Sequence, residues 1–232
     1  MTYVMFIGFL VRDCTEASSW QISKTPARIL YRMKKKLVRC WNTTNPLYIK
    51  YHDEEWGMPL HDDKKLFELL VLESFQAGLT WELILKRREA LRKAFSNFDP
   101  EKIAKHTEKD IARLLNNPEV IRNKAKIEAT VNNARKFSEV RRAFGTFDAF
   151  IWSFVGKKPI DHALKDYSHL PPESEESKTM SKELKKRGFS FVGPTICYSF
   201  MQGAGLVNDH LVHCFRHEQI RKSSTKDRTR SR

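Results

Sequence analysis

Apolar residues recur three and four positions apart through the middle of the chain, and this spacing predicts a nearly all-helical (all-α) protein. The run DDKKLFELLVLESFQ places Leu66, Phe67, Leu70, Val71 and Phe75 on one face, the pattern of a helix with a buried stripe. AGLT interrupts it. Thr80 then suits the cap of a second helix, with Trp81, Ile84, Leu85 and Leu91 facing inward while Lys86, Arg87 and Arg88 stay wet. DPEKIAKH opens with an Asp-Pro helix start, and TEKDIARLL carries a capping-box arrangement from Thr107 to Asp110. After the break NNPEVIRNK, the segment AKIEATVNNARKF predicts another amphipathic helix, close to its predecessor because the link is short. TFDAFIWSFVG predicts a short aromatic helix in the core. Residues 166–180, with two prolines among serines and acids, predict an exposed linker. SKELKKRG then predicts a helix ending at Gly188. FVGPTICYSFMQGAG predicts a last apolar helix starting near Pro194, where a missing backbone donor costs nothing. Beyond His217 the apolar content is too low to fold, and a mobile tail is expected.

Composition sharpens this picture. With 232 residues, 41% of them hydrophobic, the chain can bury one large core or two small lobes, which excludes a disordered protein. The formal charge is +14, but it is unevenly spread. Residues 1–39 carry eight Lys/Arg against two Asp/Glu and residues 216–232 carry seven against two, leaving the body between them at +3. Basic ends add salt-sensitive attraction for nucleic acid or another anionic surface without reading a base. A specific site must therefore lie in the near-neutral body. No apolar run reaches the ~18–20 residues of a membrane span. MTYVMFIGFLV lacks a basic region ahead of it and soon meets Asp13, so an export signal is a weak reading and a cytoplasmic protein is expected. The expected organisation is a basic extension over 1–38, a folded body over 39–217 and a disordered basic tail over 218–232. Met33 opens MKKKLVRCW as an alternative start, which would make the first 32 residues a gene-boundary artefact; a genuine but dispensable extension is the other reading. The four cysteines, Cys14, Cys40, Cys197 and Cys214, have no regular spacing and are expected as reduced thiols, two of them candidate metal ligands.

Several clusters carry chemistry. Cys40 and His52 lie near the start of the body, and HLVHC supplies His210 and Cys214 near its end. If HLVHC is helical, His210 and Cys214 share a face and can complete a tetrahedron with the first pair. The 157 residues between the pairs are unlike a compact zinc finger; His213 and His217 are rival ligands, and a plain buried cysteine is a common alternative. Glu73 sits in a strongly apolar helix, where a carboxylate must be hydrogen-bonded, paired or functional; a helix-end acid with a wet edge is the plainer reading. Tyr48, Tyr51, Trp56 and Trp81 suit an aromatic pocket for a planar ligand, or simply core packing. In QAGL, Gly78 and Leu79 form an exposed apolar turn able to wedge between bases. EVIRNKAKI suits a hairpin whose amides and Lys124 or Lys126 meet phosphate.

Taken together, RCWNTTNPLYIKYHDEEWGMP, LFELLVLESFQAGLTWELILKRRE, VIRNKAKIEATVNNAR and LKKRGFSFVGPTICYSFMQGAGLVNDH with the following Cys214 closely resemble the DNA-3-methyladenine glycosylase I family of the helix-hairpin-helix glycosylase superfamily. The resemblance covers nearly all of 39–215. It implies a two-lobed helical fold and a monofunctional hydrolase that removes N3-methyladenine from alkylated double-stranded DNA, most simply as a monomer with no membrane association. A glycosylase with another alkylpurine preference and a non-enzymatic DNA-binding module are the alternatives. The resemblance also implies one structural zinc ion, held by Cys40, His52, His210 and Cys214, that joins the chain ends of the core. It makes Glu73 the catalytic acid, engaged more in base recognition than in proton abstraction, with Tyr48, Tyr51 and Trp81 at pocket positions. Gly78 and Leu79 fall in the turn that meets the DNA stack, and Arg122, Asn123 and Lys124 on the phosphate side. Many superfamily members place an aspartate after a glycine-rich hairpin; this chain, like the family it resembles, has none there. Ser74 stands where some relatives have glycine, and Thr80 where serine is frequent. Trp56 is expected to brace its segment, and Asp53, Glu54 and Glu55 to stay outside the chemistry.

Overall fold

The computed structural model describes residues 37–168 and 170–230, with side chains as far as Lys222. Met33, Cys14 and most of the expected N-terminal extension lie outside the described residues.

Helix α2 (Asp63–Gln76) is the axis of the fold. Asp62 caps it by accepting from the Lys65 amide at 2.8 Å. The apolar spacing predicts one buried stripe, yet every residue from Leu66 to Phe75 is buried, because α3 (Trp81–Ala94), α6 (Lys124–Phe144), α7 (Phe147–Ser153) and α9 (Pro194–Gly203) surround it. Each such Leu, Val or Phe contributes roughly 1.5–3 kcal/mol by leaving water, and no face remains for an exposed charge.

Two lobes meet on this axis. In one, α4 (Pro100–Ile103), α5 (Glu108–Leu115) and α7 pack on the long α6. The predicted capping box at Thr107 and Asp110 is present, and Asn123 caps α6 through the Lys126 amide at 3.1 Å. In the other, α8 (Glu175–Lys186) packs on α9, and α1 (Pro46–Glu54) rests against α3. A two-residue parallel pair, β1 (Ile160–Asp161) with β2 (Val207–Asn208), ties the segment after α7 to the segment after α9.

Four expectations need correction. The linker expected over 166–180 ends early, because Ser174 and Ser177 form a capping box that starts α8 at Glu175. The segment HLVHC is a turn rather than helix, closed by the Cys214 amide on the Leu211 carbonyl at 2.7 Å. The tail expected to be disordered continues as helix α10 (Phe215–Arg230). Its first turns are held by the fully buried Ile220 and by Glu218, which pairs with Arg221 and Lys222. Arg88, expected to be wet, is largely buried between Glu55 at 2.7 Å and Glu68 at 2.8 Å. No helix among the described residues is long and apolar enough to cross a membrane.

Candidate active site and metal centre

The segment YIKYHDEEWG has no apolar period, but Asn45 accepts from the Leu47 amide at 3.0 Å and Pro46 occupies the first turn, so it folds as α1. The helix turns Tyr51 and His52 inward. His52 meets Cys40, His210 and Cys214, and the four candidate ligand atoms all lie within 4.8 Å of one another. His210 Nδ1 is 3.3 Å from Cys40 Sγ and 3.6 Å from Cys214 Sγ, and His52 Nε2 is 3.5 Å from Cys214 Sγ. Those separations match the ~3.3–3.8 Å edges of a tetrahedron built from ordinary zinc–sulfur and zinc–nitrogen bonds.

The surroundings of the cluster fit a cation. His52 donates Nδ1–H to Asp53 at 2.8 Å and His210 donates Nε2–H to the Trp56 carbonyl at 2.9 Å, so the opposite nitrogen of each ring turns its lone pair to the sulfurs. Burial alone would raise the pKa of Asp53, but hydrogen bonds from Arg39 and His52 bring it below the usual carboxylate value. The Leu211 amide points at Cys40 Sγ (3.3 Å) and the Arg216 amide at Cys214 Sγ (3.5 Å), donors that favour thiolates. A hydrogen bond from Cys40 also holds the Cys214 thiol down. Gly57 has φ +77°, and a Cβ there would stand 2.8 Å from His210 Nε2. The rival His213 is exposed, and His217 is turned to Asp161 at 3.0 Å.

Beside this cluster opens a cavity of ≈ 290 Å³, near the lower end of the size range of small-ligand sites. All five residues singled out for a pocket line it: Tyr48, Tyr51, Trp56, Glu73 and Trp81. Trp41 joins them, stacked on Tyr51 with ring centroids 6.3 Å apart and 17° between planes, while Trp81 closes on Tyr51 at 5.2 Å. Glu73 is 4% exposed, and its Oε2 has no hydrogen-bond partner among the described residues. Burial pushes its pKa up to about 8. Burial also raises Tyr51, and the neighbouring Glu73 raises it further. An aromatic box with one open, desolvated carboxyl group can take a planar molecule that brings hydrogen-bond donors or positive charge. Ser74 packs without loss at its glycine-like position, since its hydroxyl donates to the Leu70 carbonyl at 2.8 Å and the Phe191 carbonyl at 3.2 Å.

After α2 the chain turns through Gly78, which is exposed at φ +73°. Leu79, expected to be exposed, is only half-exposed and leans on the core. The hairpin between α5 and α6 exposes Arg122, Asn123 and Lys124 side by side. Asn123 Oδ1 is already committed to its capping bond, and Lys124 approaches Glu128 at 3.6 Å. Lys126 is not a phosphate ligand in this fold. It is buried, and its ammonium donates to the Phe75 carbonyl at 2.8 Å and the Ala77 carbonyl at 2.5 Å, capping the end of α2. Burial lowers its pKa.

A family profile described as methyladenine glycosylase matches residues 41–217, the stretch that holds the pocket, the hairpin and three of the four metal-cluster residues. The chain belongs to the methyladenine glycosylase family. The DNA-3-methyladenine glycosylase of Haemophilus influenzae is 50% identical to it over 177 residues, covering 76% of this chain and 96% of that one. DNA-3-methyladenine glycosylase 1 of Escherichia coli is 49% identical over 177 residues, covering 76% and 95%. A crystal structure of 3-methyladenine DNA glycosylase I superposes with a TM-score of 0.75 at 48% identity, over 77% of this chain and 98% of that one. A variant of another 3-methyladenine DNA glycosylase I, in complex with 3-methyladenine, superposes with a TM-score of 0.74 at 42% identity, over 76% of this chain and 95% of that one. The two-lobed helical fold is thus that of the helix-hairpin-helix glycosylase superfamily, and the chain is a monofunctional DNA glycosylase. Residue patterns in this methyladenine glycosylase did not single out Trp41, Tyr167, Ser199 or Gln202 as pocket-lining. The one available signal was the position of Trp41 directly after the metal-ligand candidate Cys40.

Proposed function

We propose that this glycosylase hydrolyses the N-glycosidic bond of N3-methyladenine in alkylated double-stranded DNA, acting as a monomer and leaving an abasic site. The observation that carries this reading is Glu73, a desolvated carboxyl group with an open oxygen in a cavity walled by Trp41, Tyr51 and Trp81. N3-methylation gives adenine a positive charge and makes it a good leaving group. The base leaves the stack and enters the cavity, as enzymes that act on a base require. The base packs against the aromatic wall of Trp41, Tyr51 and Trp81, and Glu73 accepts hydrogen bonds from its edge, which favours the cation over neutral adenine. The C1′–N9 bond then breaks with its electron pair going to the base, which leaves as neutral 3-methyladenine. Water adds to C1′ and releases a proton. Recognition is the larger part of Glu73's work, since methylation has already weakened the bond.

Cys40, His52, His210 and Cys214 would hold one zinc ion. With four protein ligands it has no open position and supplies stability rather than Lewis acidity. The arrangement of Arg122, Asn123 and Lys124 on the hairpin suits backbone contacts that position DNA without reading sequence.

Glu73→Gln tests the role of the acid. Both binding of free 3-methyladenine and excision from methylated DNA should fall together, measured by titration and by single-turnover base release. Normal binding with collapsed excision would instead assign Glu73 to the bond-breaking step. Release from DNA carrying N3-methyladenine, N3-methylguanine or N7-methylguanine separately should be fastest for the first.

A further inference from the structure

Gln202 lines the cavity from α9, and its amide is not free to choose its orientation. Behind it lies Asp209, whose side chain is wholly buried. Three donors converge on that carboxylate: Gln202 Nε2 at 2.8 Å and Tyr198 Oη at 2.9 Å on Oδ2, and His162 Nδ1 at 2.6 Å on Oδ1. A carboxylate engaged in this way only accepts, so the amide must turn its nitrogen to Asp209; the flipped amide would set two oxygens against each other. The amide oxygen is therefore the end left over, and no partner for it occurs among the described residues. The backbone at this point is pinned as well. The Gln202 carbonyl accepts from the Gly57 amide at 3.0 Å, and Tyr167, which also lines the cavity, donates its hydroxyl to the Asp209 carbonyl at 3.1 Å.

We infer that Gln202 is a specificity-determining residue of the base pocket: its amide oxygen, oriented by Asp209, accepts a hydrogen bond from the exocyclic amino group of 3-methyladenine. This rests on the proposed function. The amino group carries two N–H donors, one for Glu73 and one for Gln202. A guanine base presents its O6 oxygen at the same place and would bring a third acceptor against two. Asp209 touches no base atom in this scheme and acts as a positioning residue.

The test is a cycle of two ligands on the intact protein. Free 3-methyladenine and 3-methylpurine, which lacks only the amino group, are titrated by NMR into the wild type, Gln202→Met and Asp209→Asn. The wild type should favour 3-methyladenine. Gln202→Met should weaken 3-methyladenine about tenfold and 3-methylpurine about twofold or less, the loss of one hydrogen bond without the packing. Asp209→Asn should act in the same direction, because an asparagine offers both a donor and an acceptor and releases the amide to turn. Equal losses for both ligands in Gln202→Met, or no loss for either, overturn the inference and leave the proposed function standing. A wild type that binds neither ligand overturns both. Gln202 is half-buried, so its variant still decides the matter if Asp209→Asn does not fold.

Discussion

Glu73 weakens the free protein in order to serve the bound one. Its folded pKa of about 8 lies above the ordinary glutamate value of 4.5. Between those limits the folded chain keeps a proton that the unfolded chain has released, so stability falls as pH rises from about 4.5 to 8. Glu73→Gln removes this dependence. Chemical denaturation should show the variant close to wild type near pH 4.5 and more stable near pH 8 by about 1–4 kcal/mol; parallel pH curves would contradict a protonated Glu73. Gly57 makes the opposite demand. Its left-handed backbone and the 2.8 Å approach to His210 Nε2 leave no room for a methyl group. Gly57→Ala should cost about 1–3 kcal/mol and release metal in a chelator competition that the wild type survives.

At the scale of elements, the end of α2 joins three tasks. The helix delivers Glu73 to the cavity, its last carbonyls are capped by Lys126 from the hairpin helix, and the turn beyond carries Leu79. DNA held on the hairpin is thus one side chain away from the turn that would enter its stack. Leu79→Ala should lower excision from duplex DNA by about tenfold while leaving free-base affinity unchanged; equal loss in both assays would reduce Leu79 to a core residue. The helices themselves were legible, because Leu66, Phe67, Leu70 and Phe75 repeat with the helical period and Thr80, Asp110 and Pro194 mark the starts. The extent of burial around α2 was not, since a period shows one face and says nothing of what packs on the others. Of the site, Glu73 stood out as a charge in an apolar run. Gln202 and Asp209 did not. A glutamine in the last turn of a helix and an acid after a short strand gain their meaning only when folding brings them to Glu73 and Tyr167.

For the whole molecule the uneven charge makes a separate prediction. The body is nearly neutral and the segment 216–232 holds seven Lys/Arg, so this segment would add long-range attraction for phosphate to the contacts proposed for the hairpin. Removing residues 223–232 should make the logarithm of DNA affinity fall less steeply with the logarithm of salt concentration. Binding of free 3-methyladenine should stay the same, and an unchanged salt slope would show that the tail takes no part.

The metal cluster also sets an order of events for a chain being made. Cys40 and His52 leave the ribosome early, but Cys214 follows His52 by 162 positions. Until then a growing chain offers two ligands, which grip an ion far more weakly than four. A chain cut before Asp209 should therefore hold zinc poorly in a competition assay and also lack that carboxylate behind its pocket. An ion at this site would be held only once the chain has been made as far as Cys214, so its capture would report a core closed from both ends.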